Sequence, residues 1–233
     1  MLSLEEILTA KYARVDELHR LAPGRTALLV VDMQHGFLDE GASLEVPQGR
    51  EIIPNIARLI TACRERDVPV AFTEYVYEAA VPCLRGDPFG IEHLPAESGG
   101  PTGLGIPSRN CLIGPNAGAG VESADTVAEL APRPGELVVR GHTYDKFYGT
   151  PLDLSLRSQD VRTLMITGIL TDVCVNATLL SASTLDYRVT AVTDGMATLW
   201  PERHRACLDI WQHKFARLKT TDEILVELSA MAP

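Results

Sequence analysis

The sequence predicts an α/β fold with a doubly wound, mostly parallel sheet of six strands and helices on both faces. Short apolar runs alternate along the chain with longer segments whose apolar residues recur at helical spacing. The first run, residues 26–33, is apolar without alternation, which is typical of a parallel strand buried on both faces. The chain of 233 residues is 45% hydrophobic, which is enough to bury one full core.

The predicted domain organisation rests on a helical segment before the first strand and on one irregular stretch. Residues 3–20 open with a capping box and carry apolar residues at helical spacing, so they predict a helix. We therefore divide the chain into a helical extension over 1–24 and one domain over 25–233. Glycines and prolines fill residues 76–122 without a regular period, which indicates a loop-rich insertion or lid.

The remaining elements alternate between strand and helix, and their boundaries come from apolar periodicity and from capping residues. In order, they are a helix over 49–66, a strand over 68–74, a short helix near 123–130, a strand over 136–140, a helix with Thr150 as N-cap and Pro151 as its first residue, a strand over 162–168, a helix over 172–185, a strand over 187–193, a helix over 201–215, a short strand near 216–219 and a last helix capped by Thr221.

Composition excludes several classes of function. The net charge of −10 argues against binding to nucleic acid or to an anionic membrane surface. No apolar run approaches the roughly 20 residues of a membrane span, so we expect a soluble, cytoplasmic protein. The five cysteines are widely separated, and none forms a CxxC or CxH motif. We therefore expect neither a disulfide framework nor a metal site. Glycine-rich phosphate motifs are missing, so we expect no cofactor.

Candidate functional residues come from the carboxyl ends of the strands, where the sites of such sheets lie. Asp32 ends the first predicted strand, Glu74 ends the second, and residues 141–150 follow the third. Cys174 lies at the start of the helix after the fourth, where aligned backbone dipoles favour a thiolate. A carboxylate and a thiol at one edge suggest nucleophilic catalysis, although Cys174 could instead be a small buried apolar residue.

Three segments carry a family resemblance. VVDMQHGF, YDKFYGTPLDLSLR and TGILTDVCVNATLLSA, in this order, resemble motifs of the isochorismatase-like hydrolases, in particular their cysteine amidohydrolase branch. The similarity runs from about residue 25 to about residue 220. The resemblance implies a catalytic Asp–Lys–Cys triad in which Asp32 and Cys174 fill two places. It also implies a cis peptide at Ile169–Leu170, with the N–H groups of Leu170 and Cys174 as the oxyanion hole.

The third place of that triad is the point at which this sequence departs from the family. The family lysine lies three positions before a Tyr and nine before a Thr, and Tyr144 and Thr150 then put Gly141 in the lysine position. Lys146 could supply the cation instead, Arg140 could provide a fixed charge, or the chain could be an inactivated relative that only binds. We rank Lys146 low, as an exposed loop lysine.

The resemblance to this family also limits the classes of substrate that we expect. The segment after the second strand has no histidine, which disfavours a metal-dependent nicotinamidase, and Cys174 argues against the vinyl ether hydrolysis of true isochorismatases. The resemblance then implies a small linear amide or ureide, with an aryl or cyclic amide as a further alternative. Phe37, Tyr144, Phe147 and Glu74 are candidates for contacts with substrate. Family members are commonly dimers or tetramers, so we expect a homo-oligomer.

Overall fold

The computed structural model describes residues 3–78, 110–114 and 117–231. In this part of the chain, six strands form one sheet in which every neighbouring pair is parallel, as the sequence predicts. A separate pair of two-residue strands is also parallel. The strands are β1 (Thr26–Val31), β2 (Val70–Tyr75), β3 (Tyr77–Glu78), β4 (Leu112–Ile113), β5 (Leu137–Gly141), β6 (Thr163–Ile169), β7 (Arg188–Ala197) and β8 (Arg217–Lys219).

Helices cover both faces of the sheet. They are α1 (Leu4–Leu18), α2 (His35–Leu38), α3 (Pro47–Arg64), α4 (Leu152–Ser158), α5 (Asn176–Thr184), α6 (Pro201–Lys214) and α7 (Thr221–Ser229). The side chains of Leu28 and Val30 in β1 pack on the face that carries α3 and α7, whereas Leu29 and Val31 pack on the face that carries α4, α5 and α6. Since β1 is buried throughout, its continuous apolar run is explained by this double cover.

The order of the strands determines where a site can form. The large sheet has the order β5-β2-β1-β6-β7-β8, so the chain leaves β1 on one side and returns after β5 to its other side at β6. Loops therefore diverge at the carboxyl ends of β1 and β6, and such a switch point leaves a crevice. Asp32 directly follows β1 and Cys174 follows β6 by a few residues, so both candidates lie at this crevice.

Three predictions about helices and their caps are wrong, each for a local reason. Residues 123–130 form no α-helix, because the Val127 N–H donates to Met33 O in the loop after β1, and one 3₁₀ turn, Ala128–Leu130, is the only helical part of this segment. Pro151 is the N-terminal cap of α4 and not its first residue. Thr220, and not Thr221, caps α7, because the Thr221 N–H and hydroxyl both bind Asp194.

The predicted insertion over 76–122 is described only in part. Residues 79–109 and 115–116, with Cys83 among them, lie outside the described residues. The described end of this stretch lies against α2, where Asn110 Nδ2 donates to Gly36 O at 2.8 Å. The division of the chain into an extension over 1–24 and a domain over 25–233 stays a prediction. In the described ranges, no helix combines the length and apolar character that crossing a membrane requires.

Gly168 in β6 is required by the close approach of β1. Its φ is +114°, and a Cβ there would lie 2.1 Å from Val31 O. We expect Gly168→Ala to lower the free energy of unfolding by at least about 3 kcal/mol, measured by urea denaturation. Gly135→Ala is the matched control, because its φ is +94° but its Cβ would meet nothing within 4 Å. Equal losses for the two variants would show that the contact with β1 is unimportant.

Candidate active site

Asp32 is the centre of the candidate site. It is 1% exposed and adopts a φ of +54°, a left-handed conformation that Asp tolerates better than most residues. This turn directs the carboxylate into the crevice, where its Oδ1 accepts a hydrogen bond of 2.8 Å from Thr73 Oγ1 of β2. The Cys174 thiol is also hydrogen-bonded to the Asp32 carboxylate. The two residues that the sequence places at one edge are therefore in contact.

Lys146 completes this cluster, and the expectation that it is an exposed loop lysine is wrong. Its side chain is 1% exposed, and its Nζ lies 2.8 Å from Asp32 Oδ2. The ammonium also donates to Thr143 O at 3.0 Å and lies 4.9 Å from the centre of the Tyr75 ring. The loop after β5 thus folds its lysine inward, where the carboxylate, a carbonyl and an aromatic face replace water around the charge.

Helix α5 holds the loop that carries Lys146. The Lys146 N–H donates to Thr178 Oγ1 at 3.1 Å, and Ser181 Oγ donates to Asp145 Oδ2 at 2.6 Å. Asp145 Oδ1 in turn accepts from the N–H of Phe147 at 2.9 Å. Since α5 continues from the turn that contains Cys174, one helix positions both the lysine loop and the thiol.

The electrostatics of Asp32 are set by opposing effects. Burial raises the pKa of Asp32 above the ordinary aspartate value, because the charged form loses its water. The Lys146 ammonium and the hydrogen bonds from Lys146, Thr73 and Cys174 act in the other direction, but they do not fully offset burial. A carboxyl group with a raised pKa is better suited to accept a proton than a solvated aspartate is.

Cys174 lies in a wide helical turn between β6 and α5. This π turn covers Thr171–Val175, and Cys174 is 7% exposed, so the thiol borders the crevice without being solvated freely. The peptide Ile169–Leu170 is cis, as the resemblance implies. The Leu170 carbonyl accepts from the N–H groups of Val173 and Val175, which fixes the turn beside the thiol. That the N–H groups of Leu170 and Cys174 hold an oxyanion stays a hypothesis.

A cavity of about 440 Å³ opens above these groups, a size that suits a small organic molecule. Asp32 and Cys174 form its floor, while Lys146 lies behind Asp32 and does not line it. The described residues that line the cavity are Asp32, Phe37, Ser43, Leu44, Glu45, Val46, Tyr75, Tyr144, Ile169, Leu170, Asp172, Val173, Cys174, Thr198, Leu199, Trp200 and Arg203.

The candidates for substrate contacts divide into two groups. Phe37 and Tyr144 line the cavity, and their contact with substrate stays a prediction. Phe147 does not line it, because its ring packs in the core against Tyr187 with ring centres 5.7 Å apart. Glu74 is also absent from the lining: it is 2% exposed and its carboxylate binds Thr126 and Arg140. The expectation that Phe147 and Glu74 contact substrate is therefore not supported by their positions.

Gly141, which occupies the position of the family lysine, is an ordinary strand residue in this structure. Gly141 ends β5, pairs with Tyr75 and accepts a hydrogen bond from Val76 N–H at 3.0 Å through its carbonyl. Its neighbour Arg140 is engaged elsewhere, because its guanidinium binds Glu74 at 2.7 Å and Asp125 at 2.8 Å. Of the two cations considered from the sequence, Lys146 reaches the Asp32 carboxylate and Arg140 does not.

The other described cysteines are buried without a comparable setting. Burial raises the pKa of Cys63 to about 12, and it raises the pKa of Cys111 and Cys207 as well. Thiols of this kind are protonated near neutral pH and unreactive. In the described ranges, no group of three or more His, Cys, Asp or Glu side chains is arranged to hold a metal ion.

Sequence reasoning missed the far wall of the cavity. The loop after β7 contributes Leu199 and Trp200, and the first turn of α6 contributes Arg203. The rule that sites lie at strand ends would have found this loop if β7 had been predicted to full length. Its predicted end at residue 193 falls four residues before its actual end at Ala197.

Comparison with known proteins gives one consistent family. The isochorismatase domain family model matches residues 26–223. A ureidoacrylate amidohydrolase RutB of Pseudomonas syringae pv. syringae (strain B728a) is 31% identical over 197 residues, which cover 78% of this chain and 75% of the relative.

Solved structures show the same fold. A cysteine hydrolase from Pseudomonas syringae pv. phaseolicola 1448A has a TM-score of 0.73 at 24% identity, with 91% of this chain and 95% of the other covered. The N-carbamoylsarcosine amidase from Thermoplasma acidophilum has a TM-score of 0.63 at 23% identity, with 85% and 97% covered. At these identities, the two structures support the fold and not a shared substrate.

Proposed function

Since the chain belongs to the isochorismatase domain family, we propose that it is a cysteine-dependent hydrolase of a C–N bond in a small amide or ureide. The observation that carries this proposal is the contact of the buried Asp32 carboxylate with both the Cys174 thiol and the Lys146 ammonium. A base that contacts both a nucleophile and a cation, beside a cavity, supplies the parts that acyl transfer requires. The name of the ureidoacrylate amidohydrolase relative favours the same bond type.

In the first step, Asp32 accepts the thiol proton and the Cys174 sulfur attacks the substrate carbonyl carbon. The C–S bond forms while the carbonyl π electrons move to oxygen, which becomes an oxyanion. The N–H groups of Leu170 and Cys174 are the proposed donors to this oxyanion, and one such donor typically contributes about 10²–10³ in rate. Lys146 offsets the negative charge that the site carries throughout, since its ammonium lies 2.8 Å from the Asp32 carboxylate.

In the second step, the oxyanion collapses and the C–N bond breaks. The proton held by Asp32 passes to the leaving nitrogen, so ammonia or an amine departs and a thioester remains on Cys174. Water then attacks the thioester as Asp32 accepts its proton. Collapse of this second intermediate releases the acid product, and the proton returns to sulfur. Asp32 therefore serves as base, then acid, then base, and at the end it returns its proton to the sulfur, so the proton balance requires no cofactor.

A second candidate is a family member that binds substrate but hardly turns it over. The glycine at position 141, where the family has its lysine, is the observation that favours it. The contact between Lys146 and Asp32 favours an active enzyme instead, because the cation is present although it comes from another position. A small-molecule partner is proposed in both cases, and cytoplasmic location and a homo-oligomeric state stay predictions.

Ammonia release from a panel of small amides and ureides tests the proposed function. The panel contains ureidoacrylate, N-carbamoylsarcosine, biuret, triuret, maleamate and nicotinamide. We expect turnover of at least one linear amide or ureide, with kcat/KM of about 10⁴ M⁻¹s⁻¹ or more for the best substrate. Turnover of nicotinamide alone would indicate an aryl amidase. Tight binding of panel members without any ammonia would support the impaired relative.

A further inference from the structure

A single positive side chain lines the described part of the cavity wall. Arg203 lies in the first turn of α6, at the rim of the cavity, and its side chain is 59% exposed. Its guanidinium carbon lies 5.1 Å from the centre of the Trp200 ring, so an aromatic surface supports the side chain from one side. The Lys146 charge is already matched by Asp32, and Glu45 is paired with Arg50 at 2.8 Å.

Asp172 contacts only one nitrogen of the Arg203 guanidinium, Nη1. Asp172 is fixed by the Thr198 hydroxyl, which donates to its Oδ1 at 2.6 Å. Its Oδ2 lies 3.4 Å from Arg203 Nη1, which is a long contact for an ion pair. Among the described residues, Nε and Nη2 of Arg203 have no hydrogen-bond partner. The guanidinium therefore keeps a free edge for a planar, bidentate acceptor.

The surroundings of Arg203 favour an anion at this place. Helix α6 has 14 residues, and its N-terminal end, which carries partial positive charge, lies at the cavity rim beside Trp200. Most of the remaining wall is apolar, so an anion in the cavity finds few other polar partners. Asp172 would repel an anion, but its charge is shared between Thr198 and Arg203 Nη1.

We propose that Arg203 recognises a carboxylate of the substrate, so that the enzyme acts on amide or ureide acids in preference to neutral amides and ureides. This inference rests on the proposed function and names the substrate class of the same cavity. The reacting carbonyl lies at Cys174, on the floor of the cavity, and the carboxylate of the same molecule binds at the rim. Arg203 acts in binding and takes no part in the proton transfers.

The test compares acids with their methyl esters, which differ in charge and little in shape. Initial rates of ammonia release are measured for ureidoacrylate and N-carbamoylsarcosine and for the two esters. In Arg203→Gln we expect kcat/KM for the acids to fall about 10-fold to 100-fold, mainly through a higher KM, because one charge-assisted pair is lost. The values for the esters stay within about threefold, and Arg203→Lys recovers part of the loss.

Arg205→Gln is the matched control, because Arg205 lies two residues further along α6, is exposed and carries the same charge. We expect it to leave both kinds of substrate unchanged. An equal fall for acids and esters in Arg203→Gln, or an equal fall in both arginine variants, would overturn the proposal.

A binding experiment separates this proposal from the proposed function. If the wild-type chain releases no ammonia from any compound, the proposed function fails, whereas carboxylate recognition is still measurable by calorimetry. The titration uses N-carbamoylsarcosine with the Cys174→Ala chain, with and without Arg203→Gln. A Kd weakened about 10-fold to 100-fold by the arginine change supports the proposal, and an unchanged Kd contradicts it.

Discussion

Cys174→Ala is expected to abolish ammonia release, with kcat lowered by at least about 10⁴-fold. The reason is that the Cys174 sulfur forms the covalent bond to the substrate carbon, and no other described thiol reaches the cavity. The substitution removes one sulfur atom only, and the melting temperature of the variant shows whether the chain still folds. Steady-state rates with the best substrate of the panel are the measurement.

The covalent intermediate provides an independent readout for the same variant. Rapid acid quenching followed by intact-mass analysis is expected to show a substrate adduct on the wild-type chain and none on Cys174→Ala. Cys207→Ala is the matched control, because Cys207 is buried within α6 and does not line the cavity. Activity that survives in Cys174→Ala would mean that the chain hydrolyses its substrate by direct attack of water.

Lys146→Met is expected to lower kcat/KM by about 10²-fold to 10³-fold. Methionine fills a similar volume, but Asp32 then loses the cation at 2.8 Å that opposes the effect of burial. The pKa of Asp32 rises further as a result, and the negative charge that accepts the thiol proton is less stabilised. Rates are measured on the same substrate, together with the melting temperature of each variant.

Two controls make this result specific. Lys214→Met removes an exposed lysine from the last turn of α6 and is expected to leave the rate unchanged. Gly141→Lys, added to Lys146→Met, puts a lysine back at the family position, where a Cβ meets only Thr150 Cγ2 at 3.2 Å. We expect partial recovery of the rate in the double variant. An active Lys146→Met chain would show that the cation is unnecessary.

The fold was predictable because it depends on local patterns. The unalternated run of β1 identified a strand covered on both faces, and the alternation of strands and helices gave the parallel sheet. The same patterns placed Asp32 and Cys174 at strand ends, and the strand order then brings those ends together. What the patterns could not give is the direction of a side chain after its strand ends, and for this reason Glu74 and Phe147 were assigned to the wrong surroundings.

Lys146 shows most clearly where sequence reasoning stops. Its position depends on a loop that folds back onto α5 through Thr178 and Ser181, which are more than 30 residues away in the chain. Such long-range hydrogen bonds leave no periodic trace in a sequence. The family motif assigns the lysine by its position along the chain, and that position is Gly141 here. The site itself requires only that an ammonium group reach the Asp32 carboxylate. A lysine five residues further on meets that requirement here.

The dependence of Cys174 on Lys146 is tested most directly by the rate at which iodoacetamide alkylates Cys174 at pH 7, followed by peptide mass analysis. This measurement needs no knowledge of the substrate, and Cys63, whose pKa burial raises to about 12, serves as an internal reference for unfolding. We predict that Cys174 of the wild-type chain reacts at least about tenfold faster than Cys174 of Lys146→Met, with Cys63 unmodified in both. Equal rates at Cys174 in the two chains would contradict activation of the thiol through Asp32 and Lys146.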